Sequence, residues 1–238
     1  MKKAIVINGS PNMDKGNTAL ILTPFIEGLI QAGAEVDVFY TRKLKIKPCL
    51  GELDCLFKTP GKCLIKDDMD ILMPKLAESD IMVLATPVYA DGMTGALKIF
   101  IERMIPAISP FIEIIDGHSR HPSGRPGKKA LLVLVANCGL YEMDNFDPLL
   151  AYMQALSRSM SAEFAGALLR PHGPFLKPML DMGMPVQDVL EAAKLVGCQL
   201  VETGKISSET LDTISRPLLP LQMYIQLFNQ HVQQMMPA

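Results

Sequence analysis

Apolar residues in this chain follow two alternating rhythms. Short runs rich in β-branched residues, each closed by Gly, Pro, Asn or Thr, alternate with longer stretches whose apolar positions recur every three or four residues. Lys3–Asn8 (KAIVIN) predicts a buried strand ending at Gly9. The loop Asn8–Asn17 follows, and Asn17 or Thr18 caps a helix carrying Leu20, Ile21, Phe25, Leu29 and Ile30, which stops at Gly33. Pro24 lies inside it and removes one backbone hydrogen bond. Glu35–Tyr40 alternates as a second strand, residues 41–66 read as loop, and Asp67 and Asp68 open a helix ending near Ser79. Ile81–Ala85 is apolar throughout, as a strand covered on both faces must be. The loop Thr86–Gly92 leads into a helix over Met93–Met104, with Leu97, Phe100, Ile101 and Met104 inward.

Beyond a Pro- and Gly-rich stretch, 106–128, Ala130–Ala136 predicts a fourth strand. Pro148 suits a first helical position in a helix running to about Met160, and Ala165–Leu169 is a short fifth strand. From Pro185 the chain reads as helical, with Val189, Ala192, Ala193 and Val196 on one face. Strands alternating with helices give an α/β fold: a five-stranded parallel sheet sandwiched by helices, with right-handed crossovers. Order 2-1-3-4-5 makes strands one and three neighbours where the winding reverses. Loops 9–17 and 86–93 then lie side by side at the carboxyl edge, where such sheets bind ligands. The expected organisation is one domain over 1–170, in which 106–128 is an inserted loop or dimer arm, and a helical C-terminal extension over 171–238 packed on the same domain.

Composition narrows the function. Hydrophobic residues make up 49% of 238, enough for a full core, and the net charge of −2 lacks the basic excess of a nucleic-acid binder. The apolar run after Lys2 and Lys3 is only Ala4 to Ile7, too short for a signal sequence, and no run approaches a membrane span. The expectation is a cytoplasmic protein with neither a membrane nor a nucleic-acid partner. Five scattered cysteines, an odd number, argue against a disulfide framework.

The segment Gly9-Ser10-Pro11-Asn12-Met13-Asp14-Lys15-Gly16-Asn17-Thr18 offers what a phosphate monoester needs. Ser10 and Thr18 bring hydroxyls, Asn12 and Asn17 amides, Gly16 close backbone approach, and the next helix its positive end. It has neither the triphosphate-binding nor the dinucleotide-binding glycine pattern.

Two ordered motifs then carry a resemblance. Gly9-Ser10-Pro11 with Gly16-Asn17-Thr18, and Thr86-Pro87-Val88-Tyr89 followed by Gly92-Met93, Leu97-Lys98 and Phe100-Ile101-Glu102-Arg103, resemble the NAD(P)H-dependent FMN reductase family of the flavodoxin-like fold, over about residues 1–170. The resemblance implies that Ser10, Asn12, Gly16, Asn17 and Thr18 hold the FMN phosphate and that Pro87, Val88, Tyr89, Gly92 and Met93 line the isoalloxazine. Asn137, Cys138 and Gly139, after the fourth strand, form a third loop reaching the ring. Asp91 places a carboxylate beside the ring, where relatives commonly carry small hydroxyl residues.

Cys49, Cys55 and Cys63 resemble part of the compact cluster motif of the iron–sulfur flavoproteins, a branch of the same family, but its second position is Glu52. A four-iron cluster normally takes four thiolates. The cysteines are therefore structural, redox-active or metal-binding, or ligands of a cluster completed by Glu52; a cluster is not the expectation, and no metal ligands are assigned. His118 and His121, with Arg120 and Arg125, suit a solvent-facing loop or dimer arm, whose arginines would meet a nicotinamide phosphate only in a neighbouring subunit. His172 and His231 show no partner, and Asp67 and Asp68 read as helix N-terminal residues.

The implied activity is an oxidoreductase in which FMN takes electrons from NAD(P)H and delivers them to a quinone, nitroaromatic, flavin or protein acceptor. No protein nucleophile is needed, because the flavin carries the chemistry. An FMN-binding electron carrier without nicotinamide activity is the alternative, and a homodimer or higher homo-oligomer is the expected assembly.

Overall fold

The computed structural model describes residues 1–122 and 129–236. Five strands form one parallel sheet: β1 (Lys3–Asn8), β2 (Glu35–Tyr40), β3 (Ile81–Pro87), β6 (Leu131–Asn137) and β7 (Glu163–Arg170). Their order is β2-β1-β3-β6-β7, the expected 2-1-3-4-5 when only the parallel strands are counted. The remaining strands, β4 (Glu113–Ile115) and β5 (His118–Arg120), pair as an antiparallel hairpin within the stretch read from sequence as an inserted loop or dimer arm. The hairpin turns at Asp116-Gly117, both with positive φ, as a two-residue turn of this kind requires. Ile114, within β4, and Phe111, just before it, are 84% and 74% exposed.

Alternation along the strands splits the core in two. Ala4, Val6, Ile81, Val83, Val133 and Val135 face α1 (Asn17–Gln31), α6 (Leu176–Asp181), α7 (Gln187–Thr203) and α8 (Ser208–Ser215). Ile5, Ile7, Met82, Leu84, Leu132 and Leu134 face α3 (Met69–Glu78), α4 (Gly95–Glu102) and α5 (Asp147–Ser159). Adjacent residues thus bury opposite faces, which is why these strands read as unbroken apolar runs. The helix predicted over Met93–Met104 starts later, at Gly95, because Thr94 is extended (φ −61, ψ 146) and its side chain is committed to the first loop. Gly33, at φ 89, terminates α1 as expected, and Pro24 is accommodated inside that helix.

Helix α7 lies directly on α1. Gly28 and Gly197 meet there, and a Cβ on Gly197 would sit 2.3 Å from the Phe25 carbonyl oxygen. The short α2 (Asp54–Phe57) belongs to the cysteine-bearing loop, and α9 (Leu221–Met235) closes the described chain with Tyr224 buried. Among the described residues no helix is long and apolar enough to cross a membrane.

Candidate functional site

The carboxyl ends of β1, β3 and β6 meet in three loops tied by hydrogen bonds. In the first, buried Asn8 accepts from the Ser10 N–H through Oδ1 at 2.8 Å and donates to the Met13 carbonyl at 3.5 Å. The loop returns through a short turn at Met13–Lys15 to Gly16, which leads straight into α1; no side chain caps that helix. The Ala19 N–H turns back to the Gly16 carbonyl at 3.0 Å, and the N–H groups of Asn17 and Thr18 are left for another acceptor, at the positive end of a 15-residue helix. Gly16 has ordinary extended torsions (φ −88, ψ 163), so backbone strain is not why glycine is needed. Space is: a Cβ there would lie 2.8 Å from Ser10 Oγ and 3.1 Å from Asn12 Cβ, filling the concavity. Ser10 and Thr18 are buried, Asn17 is half-buried and Asn12 is exposed.

The second loop is a tight turn. Tyr89 and Gly92 exchange backbone hydrogen bonds of 2.9 and 3.1 Å, and the residues between them, Ala90 (φ 47) and Asp91 (φ 59), are both left-handed. Non-glycine residues in that region cost on the order of 1–3 kcal/mol each and persist only where the surroundings hold them. Here Thr94 does so, its hydroxyl donating to the Gly9 carbonyl at 2.8 Å and its N–H to Thr86 Oγ1 at 3.1 Å. A Cβ on Gly9 would lie 2.8 Å from Leu97 Cβ, so glycine allows the first two loops to touch. The turn leaves Tyr89 exposed, with Val88 and Met93 half-buried behind it and Pro87 buried.

Asn137 joins the third loop to both others. Its carbonyl accepts from the Val88 N–H at 2.8 Å, and its side-chain oxygen accepts a short hydrogen bond from the Thr18 hydroxyl. Burial pushes the Cys138 thiol up, and the nearby charge of Asp91 adds to this, so the Asp91 carboxylate lies within electrostatic reach of the third loop. A Cβ on Gly139 would meet nothing within 4 Å, leaving an open face there. Ser10, Asn12, Gly16, Asn17, Thr18, Pro87, Val88, Tyr89, Asp91, Gly92, Met93, Asn137, Cys138 and Gly139 thus occupy one hydrogen-bonded set of loops.

Several residues near this edge escaped the sequence reading. Arg42, just after β2, donates to the Pro11 carbonyl at 2.7 Å and brings a cation to the first loop. The order β2-β1-β3 contained the clue, because it places the carboxyl end of β2 next to that loop. His172, read as partnerless, is fully buried: its Nε2 accepts from the Leu218 N–H at 3.0 Å and meets Arg170 Nη2 at 3.2 Å, and its ring stacks on Tyr141. Burial first, then the Arg170 charge, hold its pKa down to about 4, so the ring is neutral with its proton on Nδ1. Arg120 and His121 line a cavity with Ile101, Met104, Leu156 and Met160, at the ends of α4 and α5 remote from the three loops. Arg125 lies outside the described residues.

Asp67 is more than a helix N-terminal residue. It bonds the Met69 N–H at 3.1 Å, but its Oδ2 also lies 2.6 Å from Arg103 Nη1, with the two side chains 3% and 1% exposed. Arg103 donates as well to the carbonyls of Lys47 and Ile65, clamping both ends of the cysteine loop. Burial pushes the Cys55 thiol up, reinforced by Cys63, Glu52 and Cys49, so these four side chains share one neighbourhood. Among the described residues, however, no three His, Cys, Asp or Glu side chains converge as metal ligands. Three thiols and a carboxylate do not match the donor set of a four-iron cluster.

The first loop does fit a flavin mononucleotide: a glycine-floored concavity, the buried Ser10 hydroxyl and an uncapped helix N-terminus suit a phosphate, with the Tyr89 turn and the open Gly139 face beside them for a ring. Comparison with known proteins points the same way. An iron–sulfur flavoprotein of Archaeoglobus fulgidus is 40% identical over 104 residues, covering 44% of this chain and 46% of that protein. A putative NAD(P)H-dependent FMN-containing oxidoreductase of Bacillus subtilis is 31% identical over 101 residues, covering 42% of this chain and 51% of its own. The alignments thus span about half the length of these curated relatives. Among solved structures, an FMN-dependent NADH-azoreductase of Bacillus anthracis bound to FMN superposes with a TM-score of 0.60 at 14% identity, over 85% of this chain and all of that one. An NAD(P)H:quinone oxidoreductase of Methanothermobacter marburgensis gives 0.56 at 13% identity, over 84% and 98% of the two chains. At such identities the superpositions speak for the flavodoxin-like fold alone. The family described as NADPH-dependent FMN reductase matches residues 2–138, more than half of the chain and both of the first two loops, and to that family this protein belongs.

Proposed function

We propose that the three-loop edge binds FMN and that the protein is an NAD(P)H-dependent oxidoreductase delivering electrons to a quinone, nitroaromatic, flavin or protein acceptor. The observation carrying this reading is the direct hydrogen bonding of the first loop to the second through Thr94 and Gly9, and of both α1 and the second loop to Asn137. Bound FMN would supply hydride acceptance and electron release. The protein's part is binding and orientation. Ser10, Asn12, Asn17 and the backbone N–H groups from Gly16 to Thr18 hold the phosphate, the Thr18 hydroxyl being committed to Asn137, and the end of α1 offsets its charge. Pro87, Val88, Tyr89, Gly92 and Met93 form one wall for the ring, and Asn137, Cys138 and Gly139 another. Asp91 sets a negative charge near that wall and disfavours added electron density there. The names borne by the Bacillus subtilis, Bacillus anthracis and Methanothermobacter marburgensis proteins agree with a nicotinamide donor and leave the acceptor open.

The deciding measurement is the visible spectrum of purified protein loaded with FMN, before and after NADPH or NADH is added without oxygen. Bleaching within the mixing time is expected. A bound flavin that either nicotinamide leaves oxidised for minutes would favour the electron-carrier alternative, and protein that stays colourless would remove both readings.

On the same reading, no iron–sulfur cluster accompanies the flavin, because Glu52 replaces a thiolate in the motif. Iron and acid-labile sulfide in anaerobically purified protein should fall well below one atom per chain; four of each would reverse this. The cytoplasm remains the proposed location. A homodimer remains the proposed assembly, with the exposed Phe111, Ile112 and Ile114 in and before the first strand of the hairpin as the apolar surface available to a second copy. A monomer in sedimentation at micromolar concentration would refute it.

A further inference from the structure

The third loop of the site owes its orientation to residues far along the chain. Three successive carbonyls, those of Cys138, Gly139 and Leu140, are each drawn away by a later donor: the Gly173 N–H at 2.9 Å, the Tyr224 hydroxyl at 2.8 Å and the His172 N–H at 2.7 Å. The Cys138 N–H is taken as well, by the Arg170 carbonyl at 3.0 Å. Of the three carbonyl donors only Tyr224 is a side chain, and it comes from α9, well beyond the family-matched residues 2–138.

The scaffold behind Tyr224 is built to hold it. Its ring packs against Tyr141, Phe175 and Phe228, with centroids 5.5, 5.3 and 5.9 Å away. The segment leading into α9 is pinned by three fixtures: the Leu218 N–H on His172, the Leu219 carbonyl on the Tyr141 hydroxyl, and the Ile214 and Arg216 carbonyls on buried Arg170. A buried guanidinium and a buried neutral imidazole are costly to keep without hydrogen bonds, and here those bonds fasten the C-terminal segment to the end of β7.

We propose that Tyr224 is a positioning residue of the flavin site. Its hydroxyl holds the Gly139 carbonyl back from the cleft, so the open face of Gly139, rather than a carbonyl oxygen, is turned toward the ring. A carbonyl released into the cleft would present negative partial charge to a flavin gaining electrons, weakening binding and lowering the potential. This rests on the FMN reading above.

The test uses the full chain and three proteins: wild type, Tyr224→Phe, which keeps the ring and removes only the hydroxyl, and Phe228→Ala, which loosens the same aromatic packing without touching Gly139. FMN affinity is read by quenching of flavin fluorescence and the midpoint potential by redox titration, with thermal melting of the flavin-free proteins alongside. Tyr224→Phe should weaken FMN binding about fivefold, the scale of one hydrogen bond, and shift the midpoint potential downward. Phe228→Ala, which keeps the Tyr224 hydroxyl, should lower the melting temperature at least as far as Tyr224→Phe while shifting affinity and potential less than Tyr224→Phe does. Equal affinity and potential in Tyr224→Phe and wild type would overturn the inference, as would a Phe228→Ala variant shifted as far as Tyr224→Phe. Wild-type protein that binds no FMN overturns the site assignment and this inference with it.

Discussion

Gly197→Ala should lower the melting temperature by about 6–12 °C, a larger loss than a single methyl group suggests. Alanine is the better helix former, worth about 1 kcal/mol in α7. Against that gain stands a Cβ 2.3 Å from the Phe25 carbonyl oxygen and 2.7 Å from the Leu29 nitrogen. Both atoms are α1 backbone, so no side chain can rotate aside and the helices must separate. Gly28 faces the same constraint from the other side, its Cβ falling 1.9 Å from the Lys194 carbonyl oxygen. Overpacking usually costs about 1–3 kcal/mol and occasionally more; a clash against backbone on this scale costs about 4 kcal/mol, which the helix gain of about 1 kcal/mol reduces to a net loss of about 3 kcal/mol. In a chain of this size each kcal/mol moves the melting temperature by about 2–4 °C. The damage should reach the site, because displacing α1 moves the helix end proposed to hold the phosphate and strains the Thr18–Asn137 link. A Gly197→Ala melt within about 2 °C of wild type would mean that the helices have slack the structure does not show.

The second large effect is at Asp67. Asp67→Asn leaves Arg103 buried, charged and without its carboxylate, a change that costs about 3–5 kcal/mol in comparable buried pairs. Replacing both partners with apolar residues, Asp67→Leu with Arg103→Met, should recover much of the loss, because neither charge is then buried. Burial alone would raise the Asp67 pKa, but the hydrogen bonds from Arg103, Lys47 and Met69 outweigh it and hold the carboxyl below its ordinary value. The sign follows: the Asp67 contribution is complete above the unfolded-state carboxylate pKa and is lost as pH falls through the lower folded one. The stability gap between wild type and Asp67→Asn should therefore close in strong acid, not near neutrality. Arg103 also clamps Lys47 and Ile65, so the variant should expose Cys55 to a thiol reagent several-fold faster. Unchanged melting together with unchanged thiol reactivity would show that the pair is not what holds the cysteine loop.

Much of the architecture was legible in the amino-acid pattern. KAIVIN, IMVLA and ALLVLVA lie at the sheet centre because their side chains are covered on both faces, and EVDVFY alternates because β2 is an edge strand. The first two loops stood out by local chemistry, since Gly, Ser, Asn and Thr at a strand-to-helix junction suit an anion. The β4–β5 hairpin went unread although Asp116-Gly117 marked it, because three-residue strands carry too little periodicity to register.

Local periodicity therefore determined which residues became strands and helices, the sheet order compatible with them, and the two loops at its edge. Tertiary structure decided the rest: that Thr18 reaches Asn137, 119 residues away, that Arg103 finds Asp67, that His172 is walled in, and that a tyrosine of the last described helix grips the third loop. Side-chain spacing along a strand or helix depends on neighbours two to four residues away, which a sequence displays directly. A hydrogen bond across the sheet edge depends on where two distant backbones come to rest, and no local pattern encodes that distance.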